Sequence, residues 1–362
     1  MRSIGGSVIR VTIWPVRSAI AALALTTLAA CGDKSFTNAV SPPNAFRQTN
    51  LVADAAGPAT TVDANLVNPW GMAFGPTGVL WVSNNGTGTS TLYDASGSKL
   101  TTIVTVPGRG PSTDGSPTGI VFNSTTDFLI PSAGAALFIF AGEDGTIAAW
   151  NASTTSARVV ANRGTANSVY KGIAIGSNAG ANFLYLTDFR NNHVDVFDRS
   201  FQFVKSFTDP NVPAGYAPFG IANIGGQLFV TFAKQKGPDN EDDDAGVGNG
   251  FVDVFNADGS LSKRFASNGH LNSPWAIVQA PSGFGPFSGA ILVGNFGDGT
   301  IDAYDPSTGG FGDVLRDANA NPIAIDGLWG LMFGSGAAAT TLYFSAGPSD
   351  ESHGLVGTLT PP

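Results

Sequence analysis

The chain has 362 residues, with 47 Gly and 22 Pro, and only 12 % of it is charged against 43 % hydrophobic. Interior Gly costs a helix about 1 kcal/mol and Pro about 3, so breakers at this density exclude a helical bundle. Sparse charge with ample apolar content excludes a disordered chain. The balance is acidic, 27 Asp and Glu against 18 Lys and Arg, which gives no electrostatic footprint for nucleic acid. A large, turn-rich, mostly β protein remains.

In chain order, the first segment reads as a signal rather than as part of a fold. Arg2, Arg10 and Arg17 precede the apolar run Ala19 to Leu25, with no acidic residue before Asp33. The run is shorter than the roughly 18 apolar residues that span a membrane. It ends Leu28-Ala29-Ala30-Cys31, and Cys31 is the single cysteine of the chain. This ending resembles the bacterial lipobox, which implies cleavage after residue 30 and lipidation of Cys31. Two or more acyl tails anchor a protein stably, so the expected localisation is an exported lipoprotein. Gly32, in place of an Asp, points to the outer membrane or the periplasmic face, with the cell surface as another destination. Residues 31–45 then form the lipidated cysteine and a polar tether, and the folded domain runs over 46–362. One cysteine excludes an internal disulfide.

From residue 69 onward one phrase recurs six times: Pro69-Trp70-Gly71, Pro117-Thr118-Gly119, Tyr170-Lys171-Gly172, Pro218-Phe219-Gly220, Pro274-Trp275-Ala276 and Leu328-Trp329-Gly330. Each is followed by a short apolar run, such as Leu80-Trp81-Val82 or Leu184-Tyr185-Leu186. A third segment alternates, as in Val194-Asp195-Val196-Phe197. Continuous runs suit strands buried on both faces, and alternating ones suit half-exposed strands. A fourth, weaker strand follows. Four strands about every 50 residues predict an all-β, six-bladed β-propeller. After Gly330 there is chain enough for three strands only, so the segment Phe46 to Val52 is expected to close the last blade.

These phrases are similar to the NHL-type propeller repeat. The stretch Leu271 to Tyr304 and the phrase Asp326-Gly327-Leu328-Trp329-Gly330 more closely resemble a family of exported bacterial propellers of unknown function. The resemblance covers nearly all of 46–360. It implies the six-bladed fold and export, and it brings no activity with it.

Propellers work at one mouth of the channel, where loops join successive blades and the second and third strands. The position before the phrase glycine gives a first ring: Trp70, Thr118, Lys171, Phe219, Trp275 and Trp329. Asn84, Asp188 and Asn295 end second strands and give a polar ring. Aromatic faces with a few polar groups suit a sugar or another flat amphipathic ligand. The other reading of the tryptophans is as wedges between blades. In the loop Lys234 to Gly246, Asp242, Asp243 and Asp244 lie in a run of carboxylates of the kind Ca²⁺ prefers, or in a solvated insertion. Glu143, Asp144, Asp188 and Asp298 are further mouth carboxylates, and His193 and His353 open opposed third strands. No nucleophile elbow or phosphate loop is present.

Two functions therefore compete. One is a membrane-anchored binding module whose mouth takes a glycan, a peptide or a surface protein. The alternative is a divalent-metal-dependent hydrolase or lyase of the propeller lactonase type, with the metal held by mouth carboxylates, Asn84 and Asn295. Scarce histidines and the lack of a clear acid–base pair favour the first.

Overall fold

The computed structural model describes residues 44–110 and 114–361. Residues 1–30, Cys31 and most of the tether lie outside the described residues. Among the described residues six sheets make up the ring: five are four-stranded and antiparallel, and the sixth has a fifth, short edge strand, Thr61–Val62, paired parallel with Arg47–Ala53. Blade one is Pro69–Phe74, Leu80–Asn84, Thr89–Tyr93 and Lys99–Thr105. Blades two to five have inner strands Pro117–Phe122, Tyr170–Asn178, Tyr216–Ile224 and Pro274–Gln279. Blade six is Leu328–Phe333, Leu342–Ala346 and Leu355–Thr360. Its outer strand is Arg47–Ala53, which pairs antiparallel with Leu355–Thr360. The ring is thus fastened by the start of the domain, as the count of strands after Gly330 predicts. This pairing leaves no long unpaired edge between the first and last blades.

The inner strands touch their neighbours all the way round, blade six against blade one included. The phrase glycine makes that approach feasible. A Cβ at Gly71 would lie 2.7 Å from the Thr118 carbonyl oxygen and 2.8 Å from the Ile120 nitrogen, both backbone atoms of the next blade. A Cβ at Gly119 would meet the Ile173 nitrogen at 2.8 Å. Hydroxyls stitch the same seam: the Thr187 hydroxyl accepts from Gly172 N–H and donates to the Phe219 carbonyl across the blade boundary at 2.7 Å. Apolar residues on the blade faces fill the gaps between sheets, for example Trp81 stacked on Phe138 at 4.0 Å between ring centres. Burial of such large aromatics is the main source of stability in a fold with no disulfide.

Candidate functional site

Of the six residues at this position, which precede a glycine in five blades and Ala276 in blade five, Trp70, Lys171, Phe219, Trp275 and Trp329 meet one another across the channel and close it. All six are buried, Trp70, Lys171 and Trp329 at 2 % exposure and Trp275 at 9 %. Trp70 from blade one stacks on Trp329 from blade six with 3.4 Å between ring centres. Trp275 meets both edge-on at 5.9 and 5.7 Å, and Phe219 meets Trp329 at 5.8 Å. The indole N–H of Trp275 donates to the Lys171 carbonyl at 3.2 Å, and that of Trp329 to Asn68 Oδ1 at 3.0 Å. Thr118 turns its hydroxyl to the Tyr170 carbonyl, 2.9 Å away. The tryptophans are neither wedges in the gaps between sheets nor the walls of an open mouth. They form a plug across the channel, which leaves a cavity on either side.

Below the plug, an apolar channel of about 500 Å³ is lined by the inner strands, with Met72, Ile120, Ile173, Ile277 and Leu331 among its walls. Above it lies a polar cavity, also of about 500 Å³, floored by Trp70, Trp329 and Phe296. Six carboxylates and two lysines line this mouth: Glu143, Asp242, Asp243, Asp244, Asp350 and Glu351 against Lys171 and Lys236. All but Lys171 are carried by loops between second and third strands, where strand geometry places no constraint on side-chain type.

Lys171 is the centre of the charge arrangement. Its ammonium lies 2.6 Å from Glu143 Oε1, 3.7 Å from Asp242 Oδ1 and 5.1 Å from the centre of the Trp70 ring. Burial alone would lower the Lys171 pKa, but Glu143, with Asp242 and Asp243, holds it above the ordinary value. Burial likewise opposes ionisation of Glu143, yet the charge and hydrogen bond of Lys171 and a 2.8 Å hydrogen bond from Asn85 keep its carboxyl below the usual range. Both directions describe one ionised pair. Asp243 is pushed up by burial, and Glu351 by burial and the nearby Glu143 charge. The mouth is therefore overloaded with negative charge.

Of the residues expected at the mouth from the sequence, Trp70, Lys171, Trp329 and Asp242, Asp243 and Asp244 line it; Thr118, Phe219 and Trp275 are absorbed by the plug. Asn84, Asp188 and Asn295 do not converge. Each is fully buried in its own blade. Asn84 donates to Thr89 and Thr91. Asp188 accepts from Val169 N–H, and Asn295 accepts from Asn272 N–H and donates to Asp302. Asp188 and Asn295 tie the second strand to the connection entering the blade, whereas Asn84 ties it to the third strand. The acidic loop does not gather its three aspartates on one point either: Asp244 pairs with Lys234 at 2.5 Å, and Glu241 pairs with Arg190. Asp298 and Asp144 cap their own turns through Thr300 and Thr146.

Two features escape the sequence reading. The Lys171–Glu143 pair joins residues 28 positions apart, and nothing in local spacing signals it. The second is in blade three, where His193 sits between Asp188 and Asp195, its Nε2 lying 3.5 and 3.0 Å from their oxygens. Burial opposes the charge on this imidazole, but the two carboxylates outweigh it and push its pKa up to about 9. The hairpin register pairs Asp188 with His193, so the pattern Asp188, His193, Asp195 was present in the sequence as a signal. His353, by contrast, pairs with Asp54 in blade six, and His270 stacks on Phe311.

Comparison with known structures supports the fold. The GH93 alpha-L-arabinofuranosidase of Fusarium graminearum superposes with a TM-score of 0.56 at 12 % identity, covering 88 % of this chain and 98 % of that one. The gluconolactonase XC5397 of Xanthomonas campestris gives 0.52 at 15 % identity, covering 87 % and 98 %. A streptogramin B lyase gives 0.51 at 14 % identity, covering 87 % and 97 %. At these identities the likeness is one of fold alone. No family model matches the chain. Sequence relatives are viral: the uncharacterized protein R648 of Acanthamoeba polyphaga mimivirus is 34 % identical over 92 % of this chain and 85 % of its own length. Protein L690 of the same virus is 34 % identical over 91 % of this chain and 90 % of its own length. With identity of this level along nearly the whole propeller, the chain belongs to the family of the mimivirus proteins R648 and L690.

Proposed function

We propose that this propeller is a binding module that takes a positively charged peptide segment of a partner protein at its channel mouth. The observation that carries this reading is the excess of carboxylates over lysines around an aromatic floor. Lys171 is already paired with Glu143 and has Asp242 Oδ1 3.7 Å away, so Asp243, Asp350, Glu351 and the other oxygen of Asp242 are left to receive a cation. A Lys or Arg side chain would bring its charge to these groups and lay its methylene stem on Phe296, the half-buried ring of the floor. An uncharged glycan would leave the negative potential unrelieved. The test is titration of tryptophan fluorescence with acetylated, amidated tri-lysine and tri-glutamate peptides. Saturable quenching by the basic peptide alone, weakened by salt and by Asp242→Asn/Asp243→Asn, is expected. No response, or the same response to both peptides, would overturn it.

Anchoring belongs to the same proposal: Cys31 carries the lipid and the module faces outward from the membrane. Cys31→Ala should release the protein from the membrane fraction or leave it uncleaved, and failure of labelled palmitate to enter the wild type would sink this part. A second reading, a hydrolase or lyase, is favoured by one observation. Burial raises the pKa of Glu351, near Glu143, and of Asp243, whereas Lys171, against burial, lowers that of Glu143, and a split of this kind between carboxylates is what acid–base chemistry uses.

A further inference from the structure

Blade three holds a second cluster of ligand-type side chains, separate from the plug and from the lining of the mouth. One oxygen of Asp188, Nε2 of His193 and one oxygen of Asp195 all lie within 4.8 Å of one another. Both aspartates are fully buried, while the His193 side chain keeps 26 % of its surface exposed. His193 Nε2 is itself buried and has no partner of good hydrogen-bond geometry. Two buried carboxylates aimed at one nitrogen need positive charge between them, which either a proton on His193 or a metal ion supplies.

We propose that Asp188, His193 and Asp195 form a binding site for a first-row divalent cation of the Zn²⁺ class. Donors held about 2.0–2.2 Å from a tetrahedral Zn²⁺ are roughly 3.3 Å from each other. The His193 nitrogen is 3.5 Å from Asp188 Oδ2 and 3.0 Å from Asp195 Oδ1, which brackets that spacing. One nitrogen and two carboxylates suit Zn²⁺ better than Ca²⁺, which takes six to eight oxygens.

The surroundings orient these atoms as outer-shell partners do in metal sites. Asp188 Oδ1 accepts from the Val169 and Asn191 backbone N–H groups, and Asn191 Nδ2 donates to Oδ2 at 2.9 Å. Tyr170 donates to Asp195 Oδ2 at 2.7 Å, and the Arg163 guanidinium lies 3.5 Å from that same oxygen. Ser206 donates to Oδ1 at 2.6 Å. The nearest fixed positive charge thus faces the oxygen turned away from His193. A proton on His193 competes for the same nitrogen, and that competitor defines the contrary outcome.

The experiment is calorimetric titration of the full chain with Zn²⁺, for the wild type, His193→Ala and the Asp242→Asn/Asp243→Asn pair. It is joined to anomalous scattering at the zinc edge from wild-type crystals soaked in the metal. One Zn²⁺ per chain is expected, weakened at least tenfold by His193→Ala and unchanged by the loop pair, with the anomalous peak among Asp188, His193 and Asp195. Equal affinity in His193→Ala, a peak in the mouth instead, or no uptake at all would overturn the proposal and leave a protonated histidine clamp. The anomalous map decides alone if His193→Ala does not fold.

Discussion

Trp329→Ala tests whether the plug holds the ring together. Trp329 stacks on Trp70 and on Phe296, at 3.4 and 3.9 Å between ring centres, and meets Trp275 and Phe219 as well. Removing a buried Trp costs about 3–5 kcal/mol, and aromatic pairs contribute about 0.5–1.5 beyond their area. The change also strips Asn68 Oδ1 of its indole donor, worth about 1 kcal/mol. Little can collapse into the gap, because its neighbours are rings fixed to four different strands and loops. The expected loss is therefore at the upper end, about 4–5 kcal/mol. For a domain above 250 residues each kcal/mol moves Tm by about 2 °C, so scanning calorimetry should show a fall of roughly 8–10 °C. Trp329→Phe, which keeps a ring in the stack, should lose less than half of that. A fall below about 2 °C in Trp329→Ala would refute the plug as a structural element and return these rings to ligand binding.

Gly71→Ala should unfold blade one at a lower temperature than Gly78→Ala does: the first forces two backbones apart, whereas Gly78 has open space around it and only the strain of φ +78°, worth about 1–2 kcal/mol. Thermal melts of the two variants decide it. Glu143→Ala should cost more than Lys171→Met, by chemical denaturation, because it leaves an ammonium of 3 % side-chain exposure with only Asp242 at 3.7 Å, while the Glu143 left behind in Lys171→Met keeps 28 % and access to water. Burial pushes the Asp253 carboxyl up to about 7, against the pull of Arg264. The native state then holds a proton that the unfolded chain releases near pH 4, so stability present below pH 4 is lost as pH rises through 7. Asp253→Asn should flatten that decline between pH 4 and 7 in melts across a pH series; an unchanged slope refutes the assignment.

Architecture was legible in the sequence because it repeats. Six phrases in phase carry both the strand order and the reason for a glycine, and the strand shortage after Gly330 points to Arg47–Ala53 as the closing strand. The site was only half legible. The position before the glycine lies on the channel in every blade, but whether its occupants line a wall or meet in the middle depends on side-chain reach across the ring, which no single repeat encodes. The presence of lysine at position 171 suggests a wet channel, since a charge resists burial without a partner. Its partner, Glu143, comes from a loop of the preceding blade, and with it the lysine is as buried as the tryptophans. Asn84, Asp188 and Asn295 illustrate the opposite case. A polar residue recurring in phase is as well explained by a structural hydrogen bond recurring in phase, and these three make such bonds.

The division of labour within each repeat accounts for both outcomes. Inner strands are constrained by contact with two neighbouring blades, so their residues vary only where the axis gives room, and four of six fill that room with aromatics. The loops between second and third strands meet no such limit, and they carry the carboxylates above the plug and Arg190, which joins the turn before His193 to the acidic loop through Glu241. Arg190 also donates to the Asp239 carbonyl, and Gln235 to the Phe189 and Arg190 carbonyls. The segment between Asp188 and His193 is thereby hydrogen-bonded to the loop that overhangs the mouth. The mouth and the blade-three cluster are therefore joined by the hydrogen bonds of one loop.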